Sequence, residues 1–464
     1  MSHTCAALSS AAGKAGIAVI RLSGDDALAI ASRVFRPACG GLLSEQPANR
    51  AVYGTVYDAD GVKLDTGIAV CFHAPHSYTG EDTVEISCHG SPVGVSLVLG
   101  ALFAAGAKPA LPGEFTKRAF ISGKLDLTQA EAVADLLDAE NAVQLRLFSA
   151  QLDGVLGKQI KAVSDRITEM LAAVYAYIDY PDEDMSDLSD QQLAEGIGAA
   201  LSALETLIGT YSSGVAVTKG VNTVIAGAPN TGKSTLFNLL AGFERAIVTD
   251  VAGTTRDVIT ESVQIHGVKL NISDTAGIHE TQDTVEKLGV ARSEQALNDC
   301  ELLIAVFDGT KPYGSETEDF AARVGTLAAQ KPVIAVINKC DIAAAENIAA
   351  LRERLSQCGV SHVLTLSAMT GEGKAAFEDA VAALYPASGE ALAAGAVLTN
   401  ARQYAAVKSA AEHLRDALNA MQTLTRDMAG LDLEQALGSL CEADGRQVSA
   451  QVVDTIFSRF CVGK

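Results

Sequence analysis

The sequence has 464 residues, which is more than one ordinary domain holds, so several domains are expected. A formal net charge of −21 argues against a generic nucleic-acid coat, because phosphate contacts require lysine and arginine. RNA could still be reached through a local basic patch or a partner subunit. The nine cysteines form no C-x-x-C pair, which is typical of a reducing, cytosolic setting. No apolar run approaches the roughly 18 residues of a membrane span.

Residues 1–120 alternate strand-like runs with turn signals, which predicts an α+β domain. The predicted strands are 17–22, 51–57, 67–72 and 83–88, with a hairpin turn at 58–61 and a helix at 92–105. Five possible metal ligands fall in this region, but their spacing matches no usual zinc pattern, so strand packing and a polar loop are favoured over a metal site. These residues are Cys71, His73, His76, Cys88 and His89.

A local basic cluster follows in the otherwise acidic chain. It comprises Lys117, Arg118 and Lys124. Taken alone, the cluster favours a solvated loop over a binding surface.

Apolar residues repeat at three- and four-residue spacing in 121–215 and again in 386–464, which predicts amphipathic helices on both sides of a central region. Thr128 and Glu131 form a predicted capping box, and the last helix carries Val452, Ile456 and Phe460. The simplest arrangement is one all-α bundle built from both flanks, with the central domain 216–385 inserted in it. Cys461 follows the last helix and is compatible with a buried filler or a reactive thiol.

The stretch 227–235 reads Gly-Ala-Pro-Asn-Thr-Gly-Lys-Ser-Thr, the pattern of a phosphate-binding loop. A strand-like run precedes it and a helix follows. Glycines let the backbone N–H groups turn inward toward a phosphate, Lys233 can reach the β/γ-phosphates, and Ser234 can bind Mg²⁺. The predicted nucleotide contacts of this loop are Asn230, Thr231, Gly232, Lys233, Ser234 and Thr235.

Further nucleotide-binding elements follow at the ends of predicted strands. The first is Asp274-Thr275-Ala276-Gly277, whose Asp can hold Mg²⁺ through water and whose Gly N–H can meet the γ-phosphate. The second is Asn338-Lys339-Cys340-Asp341, whose carboxylate accepts from guanine N1 and N2 and so selects guanine over adenine. The third, Ser367-Ala368-Met369, resembles a further guanine-binding loop.

Between the phosphate loop and these elements lies a predicted switch loop with a threonine that can complete the Mg²⁺ shell. Its nucleotide contacts are Thr249, Asp250, Val251, Ala252, Gly253, Thr254 and Thr255. In this order the elements predict a Ras-like α/β GTPase domain, with a mostly parallel sheet and helices on both faces. Ile278 stands where Ras-type proteins place the glutamine that orients water. Either hydrolysis is poor, or another group orients the water and supplies positive charge.

The chain resembles the bacterial tRNA-modification GTPase family MnmE (TrmE) over essentially its full length. The matching stretches are 79–82, 112–119, 123–132, the loops above and the Cys-Val-Gly-Lys sequence at 461–464, whereas the loop 11–16 lacks the usual prolines. The resemblance implies a homodimer formed through an N-terminal domain that is similar to folate-dependent one-carbon enzymes. This domain would bind 5-formyl- or 5,10-methylene-tetrahydrofolate between Arg21, Glu85, Lys124 and Lys464, with Cys461 nearby.

The resemblance also implies a partner, the FAD-binding protein MnmG (GidA), in a heterotetramer or larger. Together they would add an aminomethyl or carboxymethylaminomethyl group to C5 of the wobble uridine of certain tRNAs, bound with help from the partner. Two GTPase domains would dimerise across their nucleotides when K⁺ is present. The K⁺ ligands would be Asn230, Thr249, Val251 and Thr254, and the Mg²⁺ ligands Ser234 and Thr255.

A K⁺ ion in that shell would take the place of an arginine finger. Glu286 matches the water-orienting glutamate of the family; without the resemblance it is a solvated helix carboxylate. The expected catalytic residues are Glu286, Lys233, Arg256 and Cys461. Two rival interpretations are a GTP-controlled assembly factor that acts on ribosomal RNA or protein partners, and a folate-dependent enzyme whose GTPase domain is only a clock.

Overall fold

The computed structural model describes residues 3–179, 189–242, 260–273, 297–386, 392, 394–423 and 426–464. The chain divides into two compact units. The first comprises Met1–Leu137, Gln151–Leu201 and Ser409–Lys464, and the second comprises Asp138–Ala150 and Ser202–Lys408. None of the helices among the described residues combines the length and apolar character needed to cross a bilayer.

A seven-stranded sheet forms the N-terminal part of the first unit as described. Its strands are β1 Cys5–Leu8, β2 Ala15–Ser23, β3 Phe35–Pro37, β4 Ala51–Tyr57, β5 Lys63–Phe72, β6 Thr83–Gly90 and β7 Lys108–Pro109. Their order is β3-β4-β5-β6-β2-β1-β7, and neighbours are antiparallel except for the short β1–β7 pair. This confirms the α+β prediction, and the hairpin between β4 and β5 lies at the predicted turn.

Two helices cover this sheet, α1 Ala27–Val34 and α2 Pro92–Ala104. Alternate residues of the central strands, such as Ile20 and Ile86, point with Leu102 into one buried cluster. Because side chains alternate across a strand, the neighbouring residues Arg21 and Glu85 lie on the opposite face, where the β2–β6 register pairs them. The sheet therefore sets one ion pair from sequence positions 64 residues apart.

Thirteen further helices are present among the described residues. They are α3 Glu114–Ile121, α4 Leu127–Leu137, α5 Ala142–Leu152, α6 Val155–Asp179, α7 Asp190–Gly209, α8 Tyr211–Thr218, α9 Lys233–Ala241, α10 Ser315–Ala328, α11 Ala345–Gln357, α12 Lys374–Leu384, α13 Ala401–Thr423, α14 Arg426–Asp444 and α15 Ala450–Phe457. Helices α6 and α14 pack along each other, and a Cβ added at Gly430 would lie 3.1 Å from Val174. Both flanks thus contribute to one helical bundle, as predicted.

Helix α4 starts differently from the prediction, which used Thr128 as the cap. Asp126 Oδ1 accepts from the Gln129 backbone N–H at 2.9 Å, and Gln129 Oε1 accepts in return from the Asp126 N–H at 3.0 Å. This is a reciprocal capping arrangement built on Asp126. The Thr128 hydroxyl donates to the same aspartate at 2.6 Å, so it supports the cap rather than forming it.

The last helix also ends earlier than predicted, at Phe457. Phe460 lies beyond it but is still buried, with its ring centroid 5.1 Å from that of Phe457. Both rings join the cluster that packs on Leu127 and Val133 of α4. The apolar spacing therefore predicted correctly that Phe460 is buried, but its placement in the last helix was wrong.

The second unit contains a six-stranded sheet within the described residues. Its strands are β8 Val221–Ala226, β9 Thr260–Ile265, β10 Val268–Ser273, β11 Leu302–Asp308, β12 Val333–Asn338 and β13 His362–Thr365. Their order is β13-β12-β11-β8-β10-β9, all parallel except the β9–β10 hairpin. The mostly parallel sheet confirms the predicted α/β class, although β9 and β11 were missed as elements.

Helix α5 packs against this second sheet through its first turns. The Lys269 ammonium lies 2.7 Å from the Glu140 carboxylate, and a Cβ added at Gly267 would lie 3.0 Å from Val143. Gln144 Nε2 donates to the Val217 carbonyl at 2.8 Å. These contacts explain why residues 138–150 belong to the second unit. The predicted domain limits, 1–120, 121–215 with 386–464, and 216–385, stay a prediction.

Candidate functional site

The phosphate loop lies between β8 and α9, as predicted, and is packed too tightly for side chains at its glycines. A Cβ added at Gly227 would lie 2.4 Å from the Val306 carbonyl oxygen, and one at Gly232 would lie 2.2 Å from Asn338 Nδ2. Gly232 has φ 93° and Asn230 has φ 62°, the left-handed region that favours glycine and asparagine. The loop shape is therefore fixed by β11 and β12 behind it.

Lys233 and Ser234 open helix α9 directly after this loop. The Lys233 ammonium donates to the carbonyls of Gly227 and Ala228 at 3.0 and 2.9 Å. Ser234 is exposed on the first turn, where the N–H groups and the dipole of the helix favour an anion. Phosphate oxygens would compete with the two carbonyls for the lysine, and the serine hydroxyl is open to a hard cation.

The Asn338 amide ties three loops together. Its Nδ2 donates to the Thr231 carbonyl at 2.8 Å, and its Oδ1 accepts from the Ala368 N–H at 2.9 Å. Asn338 is 2% exposed, so these bonds are formed away from water. The phosphate loop, the 338–341 loop and the 367–369 loop are thereby held in one arrangement, which joins the predicted phosphate and guanine subsites.

Lys339 adds a second connection between the same loops. Its ammonium donates to the Asn230 carbonyl and to Asp308 Oδ2, both at 2.8 Å. Burial acts to raise the pKa of Asp308, but the hydrogen bonds from Lys339 and Thr310 outweigh it and hold that pKa below its ordinary value. The carboxylate therefore stays charged and keeps the lysine in place.

Asp308 was not predicted as a site residue, although the residues before it follow a pattern that could have indicated it. Six apolar residues, 302–307, precede it and form a fully buried strand. An aspartate at the carboxyl end of such a strand lies at the same sheet edge as the other nucleotide loops. That edge is where charged ligands of open α/β sheets bind.

The predicted guanine-binding elements have one exposed acceptor and a buried frame. Asp341 is exposed at the end of β12, whereas Ser367 is fully buried and its hydroxyl accepts from the Thr370 N–H at 3.2 Å. Met369 is 82% exposed. The carboxylate of Asp341 is open to base N–H donors, while Ser367 and Ala368 serve to shape the loop.

Several predicted site residues lie outside the described residues. These are Thr249, Asp250, Val251, Ala252, Gly253, Thr254, Thr255, Arg256, Asp274, Thr275, Ala276, Gly277, Ile278 and Glu286. Their assignments stay predictions.

In the first unit, Arg21 and Glu85 meet across strands β2 and β6. Arg21 Nε and Nη2 lie 2.9 and 2.8 Å from the same oxygen, Glu85 Oε1. The Arg21 guanidinium carbon also lies 5.2 Å from the ring centroid of Tyr78 and 5.4 Å from that of Phe115. Neither aromatic residue was singled out from the sequence, because their neighbourhood depends on the folded chain.

The 461–464 segment is held beside helix α3 and the end of strand β1. The Lys464 carbonyl accepts from the Phe115 N–H at 3.1 Å, and the Gly463 carbonyl accepts from the Ser9 hydroxyl at 2.9 Å. Gly463 has φ 100°, and a Cβ there would lie 2.0 Å from the Leu8 carbonyl oxygen. The segment thus brings Lys464 next to Phe115, and so to the aromatic surroundings of Arg21.

Two further predicted residues lie near these elements. Lys124 is beside the 79–82 turn, where a Cβ added at Gly80 would lie 3.5 Å from Lys124 Cγ. Cys461 is exposed, and its carbonyl accepts from the Gly113 N–H at 3.3 Å. Of the two interpretations of Cys461, the buried filler is therefore wrong.

The solvated-loop prediction for the basic cluster is wrong for Arg118, which is 8% exposed on helix α3. Its guanidinium donates to Glu81 at 2.8 Å, to Glu114 at 2.5 Å, and to two backbone carbonyls. Burial acts to lower the pKa of Arg118, but the bonds to both carboxylates raise it above its ordinary value. Sequence reasoning missed this role because the partners come from distant positions.

The five possible metal ligands lie on the neighbouring strands β5 and β6 and in the loop between them. Cys71 and Cys88 are buried on strand faces, and burial raises the pKa of the Cys71 thiol to about 11. His89 Nδ1 lies 2.8 Å from Asp65. In the part of the chain that the structure describes, no three His, Cys, Asp or Glu side chains are placed to hold a metal ion.

Comparison with protein families shows the family to which the chain belongs. The family model for the MnmE helical domain matches residues 127–461, and that for the GTP-binding protein TrmE N-terminus matches residues 4–124. The chain belongs to the MnmE family of tRNA modification GTPases.

Curated relatives of the MnmE family match along the whole chain. The tRNA modification GTPases MnmE of Symbiobacterium thermophilum and Chloroflexus aurantiacus are each 40% identical to it, and that of Clostridioides difficile is 36% identical. Each alignment covers 100% of this chain and at least 99% of the relative. The solved structure of Aquifex aeolicus Era is 25% identical over 42% of this chain and 66% of its own, with a TM-score of 0.29, too low to add to the assignment.

Proposed function

We propose that the protein hydrolyses GTP in the cytoplasm and couples this reaction to the modification of tRNA. The supporting observation is the Asn338 amide, which joins the phosphate loop to the guanine-binding loops. It occurs in a chain similar over its full length to proteins named tRNA modification GTPase MnmE.

In the proposed reaction the residues of the second unit bind and orient GTP. Asp341 accepts from the guanine N–H groups, and the first turn of α9 meets the phosphates. Lys233 exchanges its loop carbonyls for β/γ-phosphate oxygens. Ser234 and Thr255 would hold Mg²⁺, which would supply positive charge to these oxygens.

We propose that K⁺ supplies the remaining positive charge. Asn230 supports this, because it is exposed within the phosphate loop while its carbonyl is already fixed by Lys339. Its side-chain oxygen would hold K⁺ together with Thr249, Val251 and Thr254 across a dimer of GTPase domains. Glu286 would orient the water that Ile278 cannot orient, and Arg256 would stabilise the switch.

The test is GTP turnover in K⁺, Na⁺ and Rb⁺ at constant ionic strength. The unmutated protein is expected to turn over faster in K⁺ than in Na⁺, and Asn230→Ala should abolish that difference. Glu286→Ala should leave GTP affinity intact and lower K⁺-stimulated turnover by about 10²-fold or more. Asn238→Ala, an exposed asparagine on α9, serves as the control and should behave as the unmutated protein. Equal rates in Na⁺ and K⁺ for the unmutated protein would contradict the proposal.

We further propose that the first unit binds 5-formyl- or 5,10-methylene-tetrahydrofolate. The residues present suit such a ligand: Glu85 is a half-buried acceptor for pterin N–H groups, and Lys124 and Lys464 are cations for the ligand's carboxylates. Tetrahydrofolate would supply the one-carbon unit. Cys461, an exposed thiol on the 461–464 segment, would act at the same site.

The proposed assembly follows the same family. The chain would form a homodimer through residues 1–120 and join an FAD-binding MnmG (GidA) partner in a heterotetramer or larger. Together they would add an aminomethyl or carboxymethylaminomethyl group to C5 of the wobble uridine of certain tRNAs. The acidic net charge of −21 favours tRNA contacts made largely through the partner.

A further inference from the structure

We propose that Tyr78, together with Phe115, positions the Arg21 guanidinium in the orientation that folate binding requires. The inference rests on the proposed folate function of the first unit. It is carried by the two aromatic rings at 5.2 and 5.4 Å from the Arg21 guanidinium carbon. Neither ring is among the residues that the family resemblance assigns to the site.

The ion pair alone does not fix Arg21. The two guanidinium nitrogens that approach Glu85, Nε and Nη2, share one oxygen, Glu85 Oε1. A fork of two parallel bonds to two carboxylate oxygens would define the guanidinium plane, whereas a single shared oxygen leaves rotation about that atom. The side chain of Arg21 is 16% exposed and Phe115 is fully buried, so the contact between them lies out of water, whereas Tyr78 is 36% exposed and covers Arg21 from the solvent side. Cation–π attraction is strongest when the cation is desolvated, and it depends on the ring face.

The position of Tyr78 is itself set by a hydrogen bond. Its hydroxyl lies 3.0 Å from Thr116 Oγ1, the residue next to Phe115 on helix α3. Burial raises the pKa of Tyr78, so the phenol stays neutral and protonated at physiological pH. Phe115 is fully buried, and its backbone N–H donates to the Lys464 carbonyl.

Helix α3 therefore supports both rings at once. Its orientation is held by Arg118, which bonds to Glu81 in the turn that follows Tyr78 and to Glu114 at the start of the helix. The aromatic contacts, the 461–464 segment and the turn at 79–82 all converge on this one helix. Arg21 is thereby positioned by elements that come from three separated parts of the chain.

Tyr78 could instead serve only the stability of the fold. A second arginine–tyrosine contact in the protein serves as a control that distinguishes this structural role from the positioning role. Arg36 lies 4.3 Å from the ring centroid of Tyr57, on the same sheet. If arginine–tyrosine contacts serve only stability, Tyr78→Leu and Tyr57→Leu should have the same consequences. If Tyr78 is a positioning residue, only its replacement should alter ligand binding.

The experiment is titration of the full-length protein with 5-formyl-tetrahydrofolate by calorimetry, with the thermal unfolding midpoint recorded for each variant. We expect Tyr78→Leu to weaken binding about tenfold, because the ring face is lost. Tyr78→Phe keeps the ring and should stay within about threefold of the unmutated protein, since only one hydrogen bond is lost. Tyr57→Leu should leave the affinity unchanged.

The outcomes distinguish the proposed folate function from the positioning role of Tyr78. Absence of folate binding by the unmutated protein would overturn the proposed folate function and this inference with it. Normal binding by the unmutated protein and by Tyr78→Leu alike would overturn the positioning role alone. Binding by Tyr78→Phe as weak as by Tyr78→Leu would also overturn it, because the ring would then not matter. If Tyr78→Leu fails to fold, Thr116→Val releases the hydroxyl with both rings kept; a loss of at most about threefold, as for Tyr78→Phe, supports the role of the rings, and a loss of about tenfold contradicts it.

Discussion

Single side chains in this protein connect segments that are far apart in sequence. The Arg118 guanidinium bonds to carboxylates at positions 81 and 114 and to carbonyls at positions 3 and 23. The Asn338 amide does the same with neutral groups in the second unit. Burial makes both side chains costly to leave unpaired, so each fixes several backbone segments together.

The Arg118 network leads to a prediction for acid stability. Burial acts to raise the pKa of Glu114, but the Leu111 N–H and Arg118 hold it below its ordinary value. The stabilisation is thus fully present above the unfolded glutamate pKa of about 4.3 and is lost as pH falls through the lower folded value. Glu114→Gln should reduce the free energy of unfolding by about 2 kcal/mol at neutral pH. That difference should shrink in urea titrations carried toward pH 3.

A control for this prediction is Glu45→Gln. Glu45 also accepts from a backbone N–H three residues earlier, that of Leu42 at 3.0 Å, but it is exposed. Its replacement should change the stability by less than about 0.5 kcal/mol at any pH. A pH-independent difference between Glu114→Gln and the unmutated protein would argue against the linkage.

Among the elements, the β9–β10 hairpin has the most consequential position. Along the chain it lies between the predicted switch loop and the predicted 274–277 loop, and its two strands are joined by six residue pairs. Its turn is held from outside the GTPase sheet by the Glu140–Lys269 ion pair and by Val143. We therefore expect the hairpin to couple the predicted nucleotide loops to the segment that begins helix α5.

The prediction at this scale is a charge exchange. Lys269→Glu should separate the hairpin from α5 through repulsion with Glu140, leave GTP affinity within about threefold, and lower tRNA modification about tenfold. The double variant Glu140→Lys, Lys269→Glu should restore modification. The exposed pair Lys161–Asp165 on α6 provides the control, because Lys161→Glu should alter neither readout. If the double variant does not regain tRNA modification, the Glu140–Lys269 ion pair does not couple the hairpin to that activity.

The sequence allows a detailed prediction of the nucleotide site because the residues that bind nucleotides occur in short motifs such as 227–235 and 338–341; those among them that the structure describes lie together at one edge of the second sheet. Side chains that act through distant partners were not predictable in that way. Asp126 and Thr128 are both acceptable caps two residues apart, so only the fold decides between them. Arg118 was expected in solvent because its carboxylate partners follow no local spacing. Tyr78 and Phe115 became relevant only when the register of β2 and β6 placed Arg21 beside them.

At the scale of the whole molecule, we expect a change in the first compact unit to affect folate binding and to leave GTP binding by the second unit nearly unchanged. Gly463→Ala would place a Cβ against the Leu8 carbonyl at a positive φ, so the 461–464 segment should leave its place. We expect tetrahydrofolate affinity to fall at least about tenfold, while GTP affinity of the second unit stays within about twofold. Calorimetric titration with each ligand would measure both.

Gly40→Ala is the matched control for that variant. Gly40 also has a positive φ of 82°, but nothing lies within 4 Å of an added Cβ. It should cost some stability through backbone strain and leave both affinities unchanged. Equal loss of folate affinity in the two variants would show that strain, and not the position of the segment, is responsible.

The contact between Ser9 and Gly463 also has a consequence for biosynthesis. The two residues are 454 positions apart. At a synthesis rate of about 5 to 20 residues per second, strand β1 waits on the order of 20 to 90 s before Gly463 is made. The seven-stranded sheet can form early on the ribosome, but the site around Arg21 gains Lys464 only when translation reaches it. We therefore expect a nascent chain to carry a folded sheet, with the proposed folate site incomplete, for most of its synthesis.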